Sequence, residues 1–487
     1  MAPLCSGSDL HPKREPMPHF TARSTLDAPV SEVFSWHTRP GAFERLQPPW
    51  EVSEVVERTG DGIRPGTTVT VRTKVAGTTQ TMRVEHTRLE TPTLFEDVQR
   101  KGPFASWVHQ HCFKSLDAGR TELEDHLEYA LPLGGLGRLA ASGMVQTRLS
   151  RMFRHRHHLL AADLARHRRA GLSPRTFLIA GASGLIGTSL TAFLTTGGHT
   201  VRRLVRRRAH GSDEVSWDPS SRTLDPAALE GVDVVVNLAG AGVADARWTG
   251  ERKALIRSSR VDTTSTLARA LADAPEGPNG QRVFLSPSAT GYFGHDAGAT
   301  PFVETSAAGS DFLASVCVDW EQAAAPARDA GVRVIHPRLG PVISARGGLL
   351  GKLVPLFRAG LGGRLGNGLQ WMPFVAMEDV LGAFLFLVAE PQASGAFNLV
   401  APEPVTNAAF TEILAHVLHR PKLAAVPRLA VKGVFGEMGE VAVLGGQRVV
   451  PAALQTSGFQ WLLPTLEQSL RFELGREAAG KVEILHG

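Results

Sequence analysis

Several things that would define this chain at once are scarce in it. It has three cysteines, Cys5, Cys112 and Cys317, far apart in the sequence. An odd, dispersed set predicts neither a disulfide framework nor a thiolate metal site, only buried or free thiols. It has two tyrosines, Tyr129 and Tyr292, and the residues four positions beyond them are Leu133 and Asp296. A tyrosine with a lysine one helical turn further on therefore occurs nowhere. No apolar run reaches the length of a membrane span, and the first residues, MAPLCSGSDLHPKREPMP, lack the apolar core of a signal peptide. A cytoplasmic protein with no membrane span is expected. Excess charge is small: 52 Lys and Arg against 47 Asp and Glu give +5, and the Arg-rich stretches are short and interrupted by acids. No nucleic-acid partner is expected from that balance. Internal repeats and low-complexity tracts are absent.

What remains is an ordinary globular composition, 43% hydrophobic, spread over 487 residues. That length exceeds what one hydrophobic core usually serves, so two or three domains are expected. Residues Phe20–Leu26 read as a strand, and Ala28 to Phe34 as a strand end passing into a helix, with Pro29 near its first turn. Alternating segments follow at 67–74, 81–87, 94–100, 107–116 and 121–129. From Leu136 to His167 the Leu, Met and Phe spacing is helical, ending before Gly171-Leu172-Ser173-Pro174. The run Arg154-His155-Arg156-His157-His158 on that helix reads as a solvated basic face, because neighbouring helical positions disperse and do not converge on an ion. No metal site is expected.

This order, with Trp107-Val108-His109-Gln110-His111-Cys112-Phe113 and Glu128-Tyr129-Ala130-Leu131-Pro132-Leu133-Gly134, resembles the polyketide-cyclase-like (START-type) superfamily. The resemblance implies an α+β helix-grip domain over residues 18–168, holding a hydrophobic ligand.

Beyond Arg175 strands and helices alternate: 176–180, 189–196, 200–205, 232–238, 260–272, 283–286, 320–330 and 332–337. Such alternation predicts an α/β Rossmann domain, a doubly wound parallel sheet. Its first strand runs into Gly181-Ala182-Ser183-Gly184-Leu185-Ile186-Gly187. Strand, glycine turn and helix start, in that order, let backbone N–H groups meet a pyrophosphate. Gly181, Ser183, Gly184, Leu185, Ile186 and Gly187 are therefore candidate cofactor contacts. The second strand ends at Arg206-Arg207-Arg208, where NAD-binding domains usually carry an acid. Arg206 is the first choice for a 2′-phosphate contact, which favours NADP(H) over NAD(H). Leu238-Ala239-Gly240, after Asn237, can pass close to a nicotinamide ribose.

The spacing G-x-x-G-x-x-G, with Asn237-Leu238-Ala239-Gly240, Arg247-Trp248-Thr249, Ser259-Arg260, Ser288-Ala289-Thr290-Gly291-Tyr292-Phe293-Gly294, Asp319-Trp320-Glu321, the run Gly362 to Trp371 and Ala401 to Asn407, resembles the sugar-nucleotide-epimerase-like branch of the extended short-chain dehydrogenases. Gly436-Glu437-Met438, Gln447 to Pro451 and Ser457-Gly458-Phe459 resemble that branch's small C-terminal domain. The resemblance implies an NAD(P)-binding domain over 175–400 and a substrate lobe over 401–487. It also implies an oxidoreductase with a small-molecule substrate, in which Ser288 and Thr290 take catalytic places and Arg338, Gln370 and Trp371 meet substrate. Members of the class work through Tyr-x-x-x-Lys; aligning Trp320-Glu321 with their helix puts Leu313 and Cys317 in those positions. Two further readings stay open: an NADP(H)-binding sensor or ligand-handling protein without turnover, and a true nucleotide-sugar epimerase.

Overall fold

The computed structural model describes residues 18–486 apart from 76–77, 133, 275, 296–297, 423–424 and 478–481, with backbone only for 75 and 134–142. Cys5 and the polar N-terminal tail lie outside the described residues. The chain forms two compact units: Met1–Arg169 with Thr195–Gly198 and Phe472–Gly487, and Ala170–Leu194 with His199–Arg471.

The first unit is an antiparallel sheet against a long helix. Its strands are β1 (His19–Leu26), β2 (Ser53–Thr59), β3 (Thr68–Val75), β4 (Thr78–Glu90), β5 (Leu94–Lys101), β6 (Ser106–Asp117) and β7 (Arg120–Ala130). The helices are α1 (Val30–Thr38), α2 (Ala42–Leu46) and α3 (Gly134–Ala170). Spatial order is β2-β3-β4-β5-β6-β7-β1, followed by the C-terminal strand Glu483–His486. Period-two alternation puts Leu123, Leu127 and Tyr129 of β7 and Trp107 and Phe113 of β6 on the face that α3 covers with Leu149, Phe153, Leu160 and Leu164. Pro29 is the N-cap of α1, one position ahead of the expected first turn.

Four features differ from what the sequence led us to expect. Strand β2 carries no apolar alternation; it is the sheet's mostly exposed edge, so solvent and not a core sets its sequence. The Arg154–His158 run is not a solvated face. His155 and His157 are each 2% exposed, and Arg156 and His158 are only half-buried. His157 Nδ1 lies 2.6 Å from Ser24 Oγ, and its Nε2 lies 2.7 Å from the Asp125 carboxylate. His158 pairs with Glu477, so the helix is contacted on more sides than one amphipathic stripe provides. Finally, residues from Phe472 onward belong to the first unit and not to a lobe spanning 401–487. The C-terminal strand satisfies the free edge of β1, Phe20 opposite His486 and Arg23 opposite Glu483. Cys112 in β6 is disulfide-bonded, where thiols alone were expected.

The second unit is a parallel sheet with helices on both faces. Strands β8 (Thr176–Ala180), β9 (Thr200–Val205), β10 (Glu214–Ser216), β11 (Val234–Asn237), β12 (Val283–Leu285), β13 (Ser288–Ala289) and β14 (Arg333–Leu339) take the order β10-β9-β8-β11-β12-β14-β13. Helix α4 (Leu185–Thr196) follows β8, α5 (Gly250–Asp273) follows β11, and α6 (Phe312–Gln322) and α7 (Ala325–Asp329) precede β14. Where a single helix over 320–330 was expected, the structure has these two short ones. Strand β18 (Gly395–Leu399) also pairs with β14; the pairs β15 (Val342–Ile343) with β17 (Val375–Ala376), and β16 (Trp371–Met372) with β19 (Val405–Thr406), lie outside the main sheet. One apolar cluster joins Phe177, Ile179, Val234 and Val236 to Phe193 and Phe384, and another joins Leu178, Val235 and Phe284 to Leu267 and Leu271. A sheet packed on both faces is why its strands read as continuous apolar runs. Strand order reverses at β8 and β11, and the crevice beyond their carboxyl ends is where such folds bind ligands. Among the described residues, no helix is long and apolar enough to cross a membrane.

Candidate functional site

The three glycines of the first turn have different jobs. Gly181 has φ +78, and a Cβ there would meet the Leu238 backbone at 2.6 Å. A Cβ on Gly187 would come 2.2 Å from the Gly181 carbonyl. Both are demanded by the fold's own close packing. Gly184 is exposed, and a Cβ there would meet only the Gly181 carbonyl, at 3.3 Å. It is the glycine that leaves room for something outside the protein. Exposed Ser183 stands beside it, and the first-turn amides of α4, Leu185 to Gly187, have no intrahelical acceptors.

Opposite, the β11 loop is held rigid. Asn237, fully buried, donates to Thr264 Oγ1 at 2.8 Å and accepts from the Ala239 amide at 3.2 Å. Leu238 and Ala239 are half-buried and Gly240 is exposed. The Arg260 guanidinium would lie 3.4 Å from a Cβ on Gly240; it donates to the Ala241 carbonyl and covers the Trp320 ring at 5.1 Å. Burial lowers its pKa from the usual arginine value. Sequence reasoning used Arg260 only as part of a family word, and a lone arginine in a helix carried no further signal.

The arginine triplet after β9 sorts itself. Arg207 makes two 2.7 Å bonds to Glu214, and Arg203 pairs with Asp213 and Glu214. The Arg207 bonds and the His210 amide hold the Glu214 carboxyl down to about 2. Arg206 and Arg208 are both exposed, and neither makes an ion pair among the described residues; Arg206 stands nearest the end of β9.

At the end of β13, Ser288 is 2% exposed and Thr290 5%, and Ser288 Oγ has no well-aligned hydrogen-bond partner. The neighbouring α6 presents Leu313 and Cys317: a Cβ on Gly291 would meet Leu313 at 3.4 Å and the Cys317 sulfur at 3.8 Å. The expected alignment thus puts an apolar side chain and a thiol beside Ser288. Burial pushes the Cys317 thiol up to about 12, outweighing its contact with Ser288.

Arg338, expected to meet substrate, is instead consumed by the fold. It makes bonds of 2.8 and 2.9 Å to both carboxylate oxygens of Glu321, donates to the Glu304 carbonyl at 3.0 Å, and lies 3.5 Å above the Tyr292 ring. Trp371 is also occupied: its ring lies under Arg448 at 5.1 Å and its backbone pairs with Thr406. Gln370, the third residue expected to meet substrate, is buried. It helps line a cavity of about 330 Å³ with Gly366, Asn367, Pro427, Arg428 and Leu444, although its amide donates to the Leu365 carbonyl.

Residues 177–400 match the NAD-dependent epimerase/dehydratase family, 426–473 a domain of unknown function, and 26–157 the polyketide cyclase/dehydrase and lipid transport family. The epimerase family protein Mb2239 of Mycobacterium bovis is 44% identical over 298 residues, 61% of this chain and 97% of that protein. This chain belongs to the epimerase family, with a START-like polyketide-cyclase domain ahead of the Rossmann domain. A crystal structure of a nucleoside-diphosphate sugar epimerase from Corynebacterium glutamicum superposes with TM-score 0.76 at 33% identity, covering 94% of this chain and 90% of that one. The human epimerase family protein SDR39U1, solved with NADPH, superposes with TM-score 0.56 at 30% identity, covering 61% of this chain and 99% of that one.

Proposed function

We propose that this chain binds NADP(H) in preference to NAD(H) and uses it in an oxidoreductase reaction on a small substrate. The observation that carries this reading is the division of labour after β9: Arg203 and Arg207 are tied to Asp213 and Glu214, while Arg206 and Arg208 are not, and Arg206, nearest the strand end, is the one we assign to a 2′-phosphate. The residues fit the group: the α4 amides would take the pyrophosphate over exposed Gly184, and Leu238, Ala239 and Gly240 would border the nicotinamide ribose. The human relative's NADPH supports the same choice. The cofactor, when bound, supplies or accepts a hydride. The chain's own part is to orient the substrate oxygen with the hydroxyls of Ser288 and Thr290 and to hold Arg260 nearby as a fixed positive charge. Gln370 and Arg428 in the cavity beside the glycine-rich loop would bind the rest of the substrate.

A second reading, an NADP(H)-binding sensor without turnover, draws support from Leu313 and Cys317. With the thiol up at about 12 and a serine as a poor donor, no strong general acid stands beside the substrate place. Calorimetry with NADPH and NADH tests the cofactor, and equal affinities would overturn the preference. A hydride-transfer assay across a carbonyl panel separates the two readings. Turnover reduced about tenfold by Ser288→Ala at unchanged NADPH affinity supports the enzyme, and NADPH binding without any oxidation supports the sensor.

A further inference from the structure

The face of the first unit's sheet that α3 covers carries chemistry that the Rossmann domain does not use. Cross-strand register puts Asp97 of β5 opposite His109 of β6, and His111 of β6 opposite Asp125 of β7. His109, His111 and Asp125 are buried and the Asp97 side chain is 13% exposed, held by strands that turn every second residue toward α3. His109 Nδ1 lies 3.3 Å and His111 Nε2 3.6 Å from Asp97 Oδ2, and these three ligand atoms all fall within 4.8 Å of one another. Donors that bind one tetrahedral Zn²⁺ at about 2.0–2.2 Å are themselves about 3.3–3.5 Å apart.

We propose that this unit binds a divalent transition-metal ion, Zn²⁺ in the first instance, through His109 Nδ1, His111 Nε2 and Asp97 Oδ2.

The surroundings are those of a metal centre. Histidine ligands are usually fixed by a carboxylate on their other ring nitrogen. Here one carboxylate serves both: Asp125 Oδ1 lies 3.2 Å from His109 Nε2 and 2.6 Å from His111 Nδ1, the latter off the ideal angle. Its second oxygen lies 2.7 Å from His157 Nε2, whose other nitrogen meets Ser24 Oγ. With each imidazole neutral, every ring N–H points at Asp125, the His157 Nδ1 lone pair accepts from the Ser24 hydroxyl, and the lone pairs of His109 Nδ1 and His111 Nε2 face Asp97. A dication there would offset the charge of the two carboxylates, Asp97 and Asp125. Phe95 stacks on His111 at 4.0 Å and Phe153 stands edge-on to His109 at 5.3 Å, fixing both rings from the apolar side. His86, across the register from Asp97 and with a buried Nδ1 lacking a partner, is the next imidazole in the row. Three protein ligands leave a position for water or a substrate oxygen, the pattern of catalytic and not structural zinc.

The test is metal content of the full-length protein after dialysis against metal-free buffer with added Zn²⁺ removed. Near one Zn²⁺ per chain in the wild type and in His158→Ala, falling below about a tenth in His111→Ala and Asp97→Asn with unchanged circular dichroism, is the expected result. Asp125→Asn, acting through the two histidines, should weaken Zn²⁺ binding about 10–100-fold without abolishing it. Should the variants fail to fold, a Co²⁺ titration of the wild type decides: saturating visible absorption bands at one equivalent are expected. Less than a tenth of an equivalent of Zn²⁺ in the wild type, no Co²⁺ spectrum beyond that of the aqueous ion, or variants that retain full metal would each overturn the proposal.

Discussion

The two units bury polar groups in opposite ways. On the face of the first unit's sheet that α3 covers, polar side chains from three strands and a helix converge, as in the Asp125 carboxylate that meets three imidazoles. At the second unit's switch point the polar groups are mostly backbone, arranged by glycines around a place where no side chain stands. A site made of side chains depends on register between strands distant in sequence. A site made of backbone depends on a few adjacent residues. Within the second unit the same contrast recurs between polar groups that hold the fold, such as Arg338, and those left open, such as Arg206.

The largest effect should come from breaking the internal kind. Arg338→Ala leaves Glu321 buried without its guanidinium, and loss of a buried partner costs about 3–5 kcal/mol. Urea denaturation should show that fall in the second unit's transition; a loss below about 1 kcal/mol would return Arg338 to the substrate site.

Glycine replacements sharpen the contrast between packing and binding. Gly181→Ala forces a Cβ against the Leu238 backbone at positive φ and should cost about 1–3 kcal/mol of stability. Gly184→Val should leave the melting temperature nearly unchanged while weakening NADPH binding at least about tenfold, since its bulk enters the cofactor's space. Calorimetry and thermal melts on both variants must give opposite patterns, and two alike would collapse the distinction.

Next in size is the arginine pair. Arg206→Ala should lose a NADPH-over-NADH preference of about tenfold, about 1.4 kcal/mol. Arg207→Ala, which removes a side chain already committed to Glu214, should change that preference by less than about twofold. A reversed order in competition binding would place the 2′-phosphate on Arg207.

The smallest effect is an absence of reactivity. With its pKa raised to about 12, the Cys317 thiol is protonated at every physiological pH, and its thiolate appears only as pH rises toward that value. Alkylation of Cys317 at pH 8 should therefore be undetectable over hours in the native protein and complete in urea, followed by mass spectrometry of the peptide. Rapid native labelling would mean that Cys317 opens to solvent beside Ser288.

Much of this was legible along the chain because it is local. Thr176 to Gly187 is one contiguous strand, turn and helix start, and its meaning survives without knowledge of the rest. The missing Tyr-x-x-x-Lys could be read from two tyrosines and their neighbours. Strand β2 and the C-terminal strand escaped because edge strands need no apolar alternation, only hydrogen bonds to a neighbour. Arg260 escaped because nothing around it in sequence says that its guanidinium reaches back to Gly240.

The sequence by itself determined the two kinds of unit, the glycine turn, the family and the absence of the usual proton-transfer pair, since each is carried by short-range spacing or composition. Only the tertiary structure decided that Arg207 of the triplet is tied to Glu214, that Arg338 and Trp371 are engaged by their neighbours, and that His155 and His157 face inward. It alone brought Asp97, His109, His111 and Asp125 to one point. That last outcome depends on which strands lie side by side and in what register, and a one-residue slip in β5, β6 or β7 would turn its side chains to the opposite face.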